Sequence, residues 1–365
     1  MRVGLVLGAG GLVGASWLIG ALEALESETG WSPAEADVIV GTSAGSVIGA
    51  LTAQGIPPIY MSAYSSGQGL EAIADGESRV EQLGEKLAGV AEQLGDAAAR
   101  MTGAEFRLHR GLPPIGPGSW RMAISTLLQP MRHSPATLIG GWLPRGFIST
   151  DSISGLVETF VTADWPDHPD YRAVATDYRS GDRVVFGPEG SPAARVGQAV
   201  AASCAIPAFY HPVEIAGRRY VDGGLASMSN LDVVRNDELD LVLCLNPTSS
   251  HASVPIRTPG DAMGAWMRGQ SGRRLGHEAR KLRATGTKVV LLQPTKRDLQ
   301  AMGPNLMSRG RRTGVAETAV RTTALTLRRM RGSKDIVLPG RVRPKRKPAA
   351  APRRAKAAAS ASAAA

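Results

Sequence analysis

The chain has 365 residues, 43% of them hydrophobic, with a formal net charge of +10; that is enough apolar material to close a sizeable core, and it excludes a wholly disordered chain. Two cysteines, Cys204 and Cys244, are too few for a disulfide-stapled scaffold. Both stand in apolar surroundings and are expected as buried free thiols, which suits a cytoplasmic location.

In chain order, Val3–Leu7 reads as a short buried strand, Gly8, Gly10, Gly11 and Gly14 as a turn, and residues 15–25 as a helix. Residues 3–22 also form an uncharged run of 20, long enough to raise a membrane span or signal peptide. Six of the 20 are glycines and no A-x-A-like cleavage site follows, so a turn and helix are expected instead. Residues 37–40 repeat the pattern as a second strand, run into Gly41-Thr42-Ser43-Ala44-Gly45, and open a second helix through Val47, Ile48 and Leu51.

Residues 56–146 are rich in Gly and Ala and poor in strand signals, with Val80, Leu83, Leu87, Val90 and Leu94 at three- and four-residue steps. That spacing predicts an amphipathic helix, and the stretch is read as a helical insertion that packs on the core or caps the site. Further strands are predicted at residues 172–176, 183–186, 219–221, 239–245 and 288–292. Strands alternating with helices predict an α/β fold, a three-layer α/β/α sandwich with a mainly parallel central sheet.

Charge is unevenly placed: residues 1–265 hold 17 Lys/Arg against 28 Asp/Glu, residues 266–340 hold 17 against 4, and the last 25 add 8 basic groups with no acidic one. An acidic body with a basic C-terminal third suggests an anionic partner, a membrane surface touched peripherally or, less favoured, nucleic acid. A solvated helix face is the plain alternative. Residues 1–340 are taken as one domain, and residues 341–365, almost all Ala, Pro, Lys and Arg, as a disordered basic tail.

Gly41-Thr42-Ser43-Ala44-Gly45 matches G-x-S-x-G between an apolar strand and a helix, the context a nucleophile elbow requires. Gly41 and Gly45 supply the missing bulk on either side of a strained Ser43. The earlier glycine turn could present bare amides as an oxyanion hole, with Gly10 and Gly11 as donors helped by the N–H of Ala44. A dinucleotide fingerprint fits poorly, since Val13 stands where a third small residue belongs and GTSAG where an acidic residue should close the second strand.

Asp222, in Tyr220-Val221-Asp222-Gly223-Gly224, is the candidate partner for Ser43, with Gly223 and Gly224 expected to turn the chain sharply at positive φ. A triad would need a histidine after Asp222; His251 lies in a Ser- and Pro-containing loop and His277 in a run of Arg and Lys, so both are expected to be exposed.

In this order, the glycine-rich turn, the G-x-S-x-G elbow and the D-G-G aspartate resemble the patatin-like phospholipase family, over about residues 3–247. Residues 172–186 are similar to the family's central strand pair, and residues 199–233 to the segment leading into its aspartate. The resemblance implies a lipid acyl hydrolase with nucleophile Ser43, dyad partner Asp222 and oxyanion donors around Gly10 and Gly11, acting on phospholipid or other acyl-lipid esters without metal or cofactor. Val13 and Ala9 depart from the basic residue and glycine common at those places, which leaves esterase chemistry firmer than phospholipid preference. Acyl transfer through the same acyl-enzyme, and a lipid- or nucleic-acid-binding scaffold without turnover, are the alternative functions.

Overall fold

A computed structural model describes residues 1–66, 116–331 and 338–340. The amphipathic stretch at residues 80–94 and the tail at 341–365 lie outside the described residues.

Eight strands form one sheet: β1 (Val3–Leu7), β2 (Val38–Thr42), β3 (Tyr171–Asp177), β4 (Arg183–Phe186), β5 (Val213–Ile215), β6 (Arg218–Asp222), β7 (Leu241–Leu245) and β8 (Lys288–Leu292). Their order is β5-β6-β3-β2-β1-β7-β8, with β4 paired to β3. From β3 across to β8 every pairing is parallel; β3 with β4, β3 with β6, and β5 with β6 are antiparallel. Sequence reading misses β5, because three residues ending at an Ala-Gly turn carry too short an alternation to detect.

Alternation along the central strands sorts side chains between two cores. Leu5, Leu7, Ile39, Leu243 and Leu245 face one cluster, while Val6, Val38, Val40, Val242 and Cys244 face the other. The first cluster is covered by α1 (Gly11–Thr29), α2 (Ala44–Ala53), α3 (Pro58–Ser66), α6 (Asp151–Phe160), α7 (Val196–Ser203), α9 (Lys296–Met302) and α10 (Arg312–Arg331). The second is covered by the buried face of α8 (Pro259–Arg283), through Leu275, Ala279 and Leu282, together with Leu231 and Val234 of a 3₁₀ turn. The outcome is the predicted sandwich. Two short helices, α4 (Trp120–Leu128) and α5 (Pro135–Gly140), belong to the second half of the insertion and pack beside Leu225 and Tyr178.

Several boundaries differ from expectation by a residue or two, and the start and end of the first helix by four. Helix α1 begins at Gly11, not at residue 15, so Gly11 and Gly14 are helical instead of belonging to the turn. Its interior residues Trp17, Leu18, Leu22 and Leu25 are fully buried, and α10 lies along it. The two helices come so close at Gly20 that a Cβ there would strike the Ala316 backbone carbonyl. Arg328 of α10 reaches Glu28 of α1 at 2.6 Å.

Replacing Gly20 with Leu forces α1 and α10 apart and should lower stability by about 1–3 kcal/mol or more, read as the urea midpoint. A midpoint equal to wild type would show that the helices do not meet here.

Candidate active site

β3 brings two strand ends together. β2 ends at Thr42, opposite Val174, and β6 ends at Asp222, opposite Ala175. β4 runs along residues 173–176 on one edge of β3, so β2 and β6 share the other edge and their C-terminal ends abut. Ser43 follows β2 directly, and its hydroxyl stands close enough to the Asp222 carboxyl to oppose the rise in its pKa. Both are buried, at 4% and 5% exposure.

Ser43 sits at φ 52°, ψ −122°, a backbone conformation that non-glycine residues rarely adopt and that costs roughly 1–3 kcal/mol. Surrounding bonds hold it there. The Ser43 amide donates to Ser203 Oγ at 2.9 Å, and Ser203 Oγ donates in turn to the Val174 carbonyl at 2.6 Å. Ser46 Oγ donates to the Ser43 carbonyl at 2.7 Å, and Tyr171 Oη to the Ser46 carbonyl at 2.6 Å. Glycine is required on both sides: a Cβ on Gly45 would strike the Leu7 carbonyl, and one on Gly41 the Gly45–Ser46 backbone.

Asp222 is fixed from behind by its own amide, which donates to the Ala205 carbonyl at 2.9 Å. Its Oδ1 accepts the Gly224 amide at 2.6 Å. Burial pushes the carboxyl up to about 6, against the opposing effects of the Gly224 amide and the Ser43 hydroxyl. Gly223 and Gly224 do not adopt the positive φ expected of them. They are needed for close approach instead: a Cβ on Gly223 would meet the Val174 carbonyl, and one on Gly224 would stand 2.8 Å from Asp222 Oδ1.

The glycine turn after β1 lies next to the elbow because β1 and β2 are parallel neighbours. Amides on either side of it are used: Gly8 donates to Leu245, Ala9 to Met228, Val13 to Leu306 and Gly14 to Gly10. Among the described residues no backbone carbonyl accepts from Gly10, Gly11 or Ala44, as the first turns of α1 and α2 require. Gly11, at φ 60°, and Ala44 line the cavity that contains Ser43, whereas Gly10 does not. Gly8 is kept bare by Asn246, whose side-chain oxygen fills the space a Cβ would take.

That cavity has a volume of about 330 Å³ and a mostly apolar wall, including Ile19, Leu51, Ile56, Met61, Ile153 and Phe160. Ile56 and Met61 come from the start of the insertion, so its described part contributes to the cavity wall. Cys204 also lines it, within 3.9 Å of Ser46 Oγ. Burial, then the Asp222 charge, pushes its thiol well above the ordinary range, so it stays neutral and protonated. Both cysteines are free and buried. His251 and His277 are exposed and neither lines the cavity.

Asn230 and Glu278 were not legible in the sequence. Asn230, at φ 47°, donates through Nδ2 to Thr42 Oγ1 at 3.0 Å, to the Ser227 carbonyl at 2.6 Å and to the Gly223 carbonyl at 3.3 Å. It therefore ties the residue before Ser43 to the residue after Asp222. Glu278 of α8, 1% exposed, accepts Ser229 Oγ at 2.6 Å and the Leu231 amide at 3.0 Å, and pairs with Arg274 at 2.9 Å.

A family profile described as Patatin-like phospholipase matches residues 5–235. No curated protein matches the sequence. Among solved structures, VipD from Legionella pneumophila is similar at 13% identity and a TM-score of 0.39, over 89% of this chain and 67% of that one. The type III effector protein ExoU is similar at 16% identity and a TM-score of 0.36, over 90% of this chain and 53% of that one, so the chain spans about half of ExoU.

Asn230→Ala leaves the Ser227 and Gly223 carbonyls short of a donor and puts a Cβ-bearing residue without a polar side chain at positive φ. Stability should fall by about 1–3 kcal/mol in denaturant titration; a change under about 0.5 kcal/mol would remove Asn230 from this role. Asp222→Asn should raise the Tm at pH 8. With a folded pKa of about 6 against 3.8 unfolded, charge burial costs nothing below the lower value. The penalty grows through that window and reaches on the order of 3 kcal/mol above it. The gain in Tm should therefore shrink as pH is lowered to 4, and a gain independent of pH would contradict the raised pKa.

Proposed function

The chain belongs to the patatin-like phospholipase family, a family of lipid ester hydrolases, and on that premise we propose that it is an acyl hydrolase in which Ser43 and Asp222 form the working pair. The observation that carries this reading is the meeting, at abutting strand ends, of a serine on a strained elbow and a buried carboxylate, beside a largely apolar cavity.

Ser43 Oγ attacks the ester carbonyl while its proton passes to Asp222. A carboxyl held near 6 is a better proton acceptor than one at 3.8, and burial supplies that difference. The carbonyl oxygen becomes an oxyanion, held by the amides of Gly11 and Ala44 at the starts of α1 and α2, the two of the three expected donors that line the cavity. Each such donor is worth roughly 3 kcal/mol in a water-poor site, and both helix dipoles act in the same sense. Collapse of the intermediate breaks the ester C–O bond, the leaving alkoxide takes the proton from Asp222, and an acyl-enzyme remains on Ser43. Water then attacks the acyl carbonyl as Asp222 accepts its proton. That proton returns to Ser43 Oγ as the fatty acid leaves. The apolar wall accommodates the acyl chain, at roughly 0.8 kcal/mol for each methylene buried.

A chromogenic acyl ester and phospholipid vesicles test this reading with wild type, Ser43→Ala, Asp222→Asn and His251→Ala. The first two variants should lose about 10³-fold or more in kcat/KM, and His251→Ala should match wild type. In wild type kcat/KM should rise with pH through about 6 and then level, because only ionised Asp222 accepts the proton. Full activity in Ser43→Ala, or its loss in a folded His251→Ala, would refute the dyad.

A further inference from the structure

Only two charged residues are among the described residues lining the cavity, Arg309 and Arg312. Both lie outside residues 5–235, the part matched by the family profile, in the basic C-terminal third. Their segment is pressed against the glycine turn. The Leu306 carbonyl accepts the Val13 amide at 3.0 Å, and a Cβ on Gly11 would stand 2.9 Å from that carbonyl and 3.1 Å from Met307 Sδ.

The three neighbouring arginines are used differently. Arg311 turns away and donates through Nη1 to the Ala301 carbonyl at 3.1 Å. Arg312, half-buried at the start of α10, donates through Nε to the Arg309 carbonyl at 3.3 Å. Arg309 lies near Tyr210 on the cavity wall: burial pushes that phenol up to about 12, and the charge of Arg309 acts against the rise. Val13 is fully buried, so the side chain at that position of α1 brings nothing to the cavity. Cationic character in the cavity comes from the C-terminal segment.

Building on the acyl hydrolase reading above, we propose that Arg309 and Arg312 form an anion-recognition subsite that selects acyl lipids whose head group carries a phosphate. Guanidinium groups match phosphate oxygens with paired N–H donors, and charge-assisted bonds of this kind are about twice as strong as neutral ones. Ser43, the apolar wall and the two arginines line one cavity, so the acyl chain, ester and phosphate of a single lipid meet all three there. A neutral lipid offers the guanidinium groups no charge-assisted bond of this kind.

Two lauroyl esters that differ by one phosphate, lauroyl lysophosphatidate and monolauroylglycerol, test the proposal with the full chain. The Arg309→Gln/Arg312→Gln double variant should raise KM for the phosphorylated ester about tenfold, with kcat within about twofold and the neutral ester unaffected. Arg309→Gln alone, at an exposed side chain, should show part of the same shift if the double variant folds poorly. Equal changes on both esters, or none on the phosphorylated one, would overturn the subsite. Calorimetric binding to Ser43→Ala separates this outcome from failure of the hydrolase reading. If wild type cleaves neither ester, that reading fails. Tighter binding of lysophosphatidate than of monolauroylglycerol, lost on adding the two Gln substitutions, would still support the subsite. Inorganic phosphate binding as tightly as the lysolipid would assign the arginines to a free anion and overturn it.

Discussion

The geometry of the site depends on one hydrogen-bonded ladder, the shared edge of β3. Val174 and Ala175 are consecutive residues, and they pair with the last residues of two strands running in opposite directions. Covalent geometry then leaves little freedom: the residue after Thr42 must emerge beside Asp222. Ser203 reinforces the junction by taking the Ser43 amide and giving its own proton to the carbonyl of Val174. The backbone strain at Ser43 is thus balanced by bonds to β3, and the hydroxyl and carboxylate are brought together by the sheet itself instead of by flexible loops.

Much of this was legible in the sequence because strand edges and turns leave local signals. β4 and β8 fall at their predicted boundaries, and the elbow glycines at 41 and 45 are required for the steric reason expected. Where the reading departed from the structure, a tertiary contact had replaced a local rule. Gly223 looked like a positive-φ turn residue, but its lack of a side chain serves the approach to Val174, a contact invisible in sequence. Gly11 combines both causes, with positive φ and close contact with Leu306. Asn230 and Glu278 gave no signal because their partners are distant in sequence: Thr42 precedes Asn230 by 188 residues, and Ser229 and Glu278 are 49 apart. Polar residues that join loops across a fold have no periodicity to read.

Asp222 carries a conflict between stability and the proposed chemistry. A carboxylate with a raised pKa is a cost to the folded state at neutral pH, and a neutral amide of the same shape would relieve it. Cys204, next to it, takes the opposite course: its thiol remains protonated and adds no second charge to the same low-dielectric pocket. Glu278 shows a third solution, a buried carboxylate paired with Arg274 and satisfied by Ser229 and Leu231.

The seam between α1 and α10 has a consequence for the order in which the protein is made. α1 leaves the ribosome well ahead of the helix that covers it and of the Leu306 carbonyl that engages its first turn. Until that later segment has emerged, the face of α1 around Gly20 lacks the helix that packs on it, the kind of surface that chaperones hold. The glycine turn is also unsupported by that segment during this interval, so the cavity is completed only once Met307, Arg309 and Arg312 have been made.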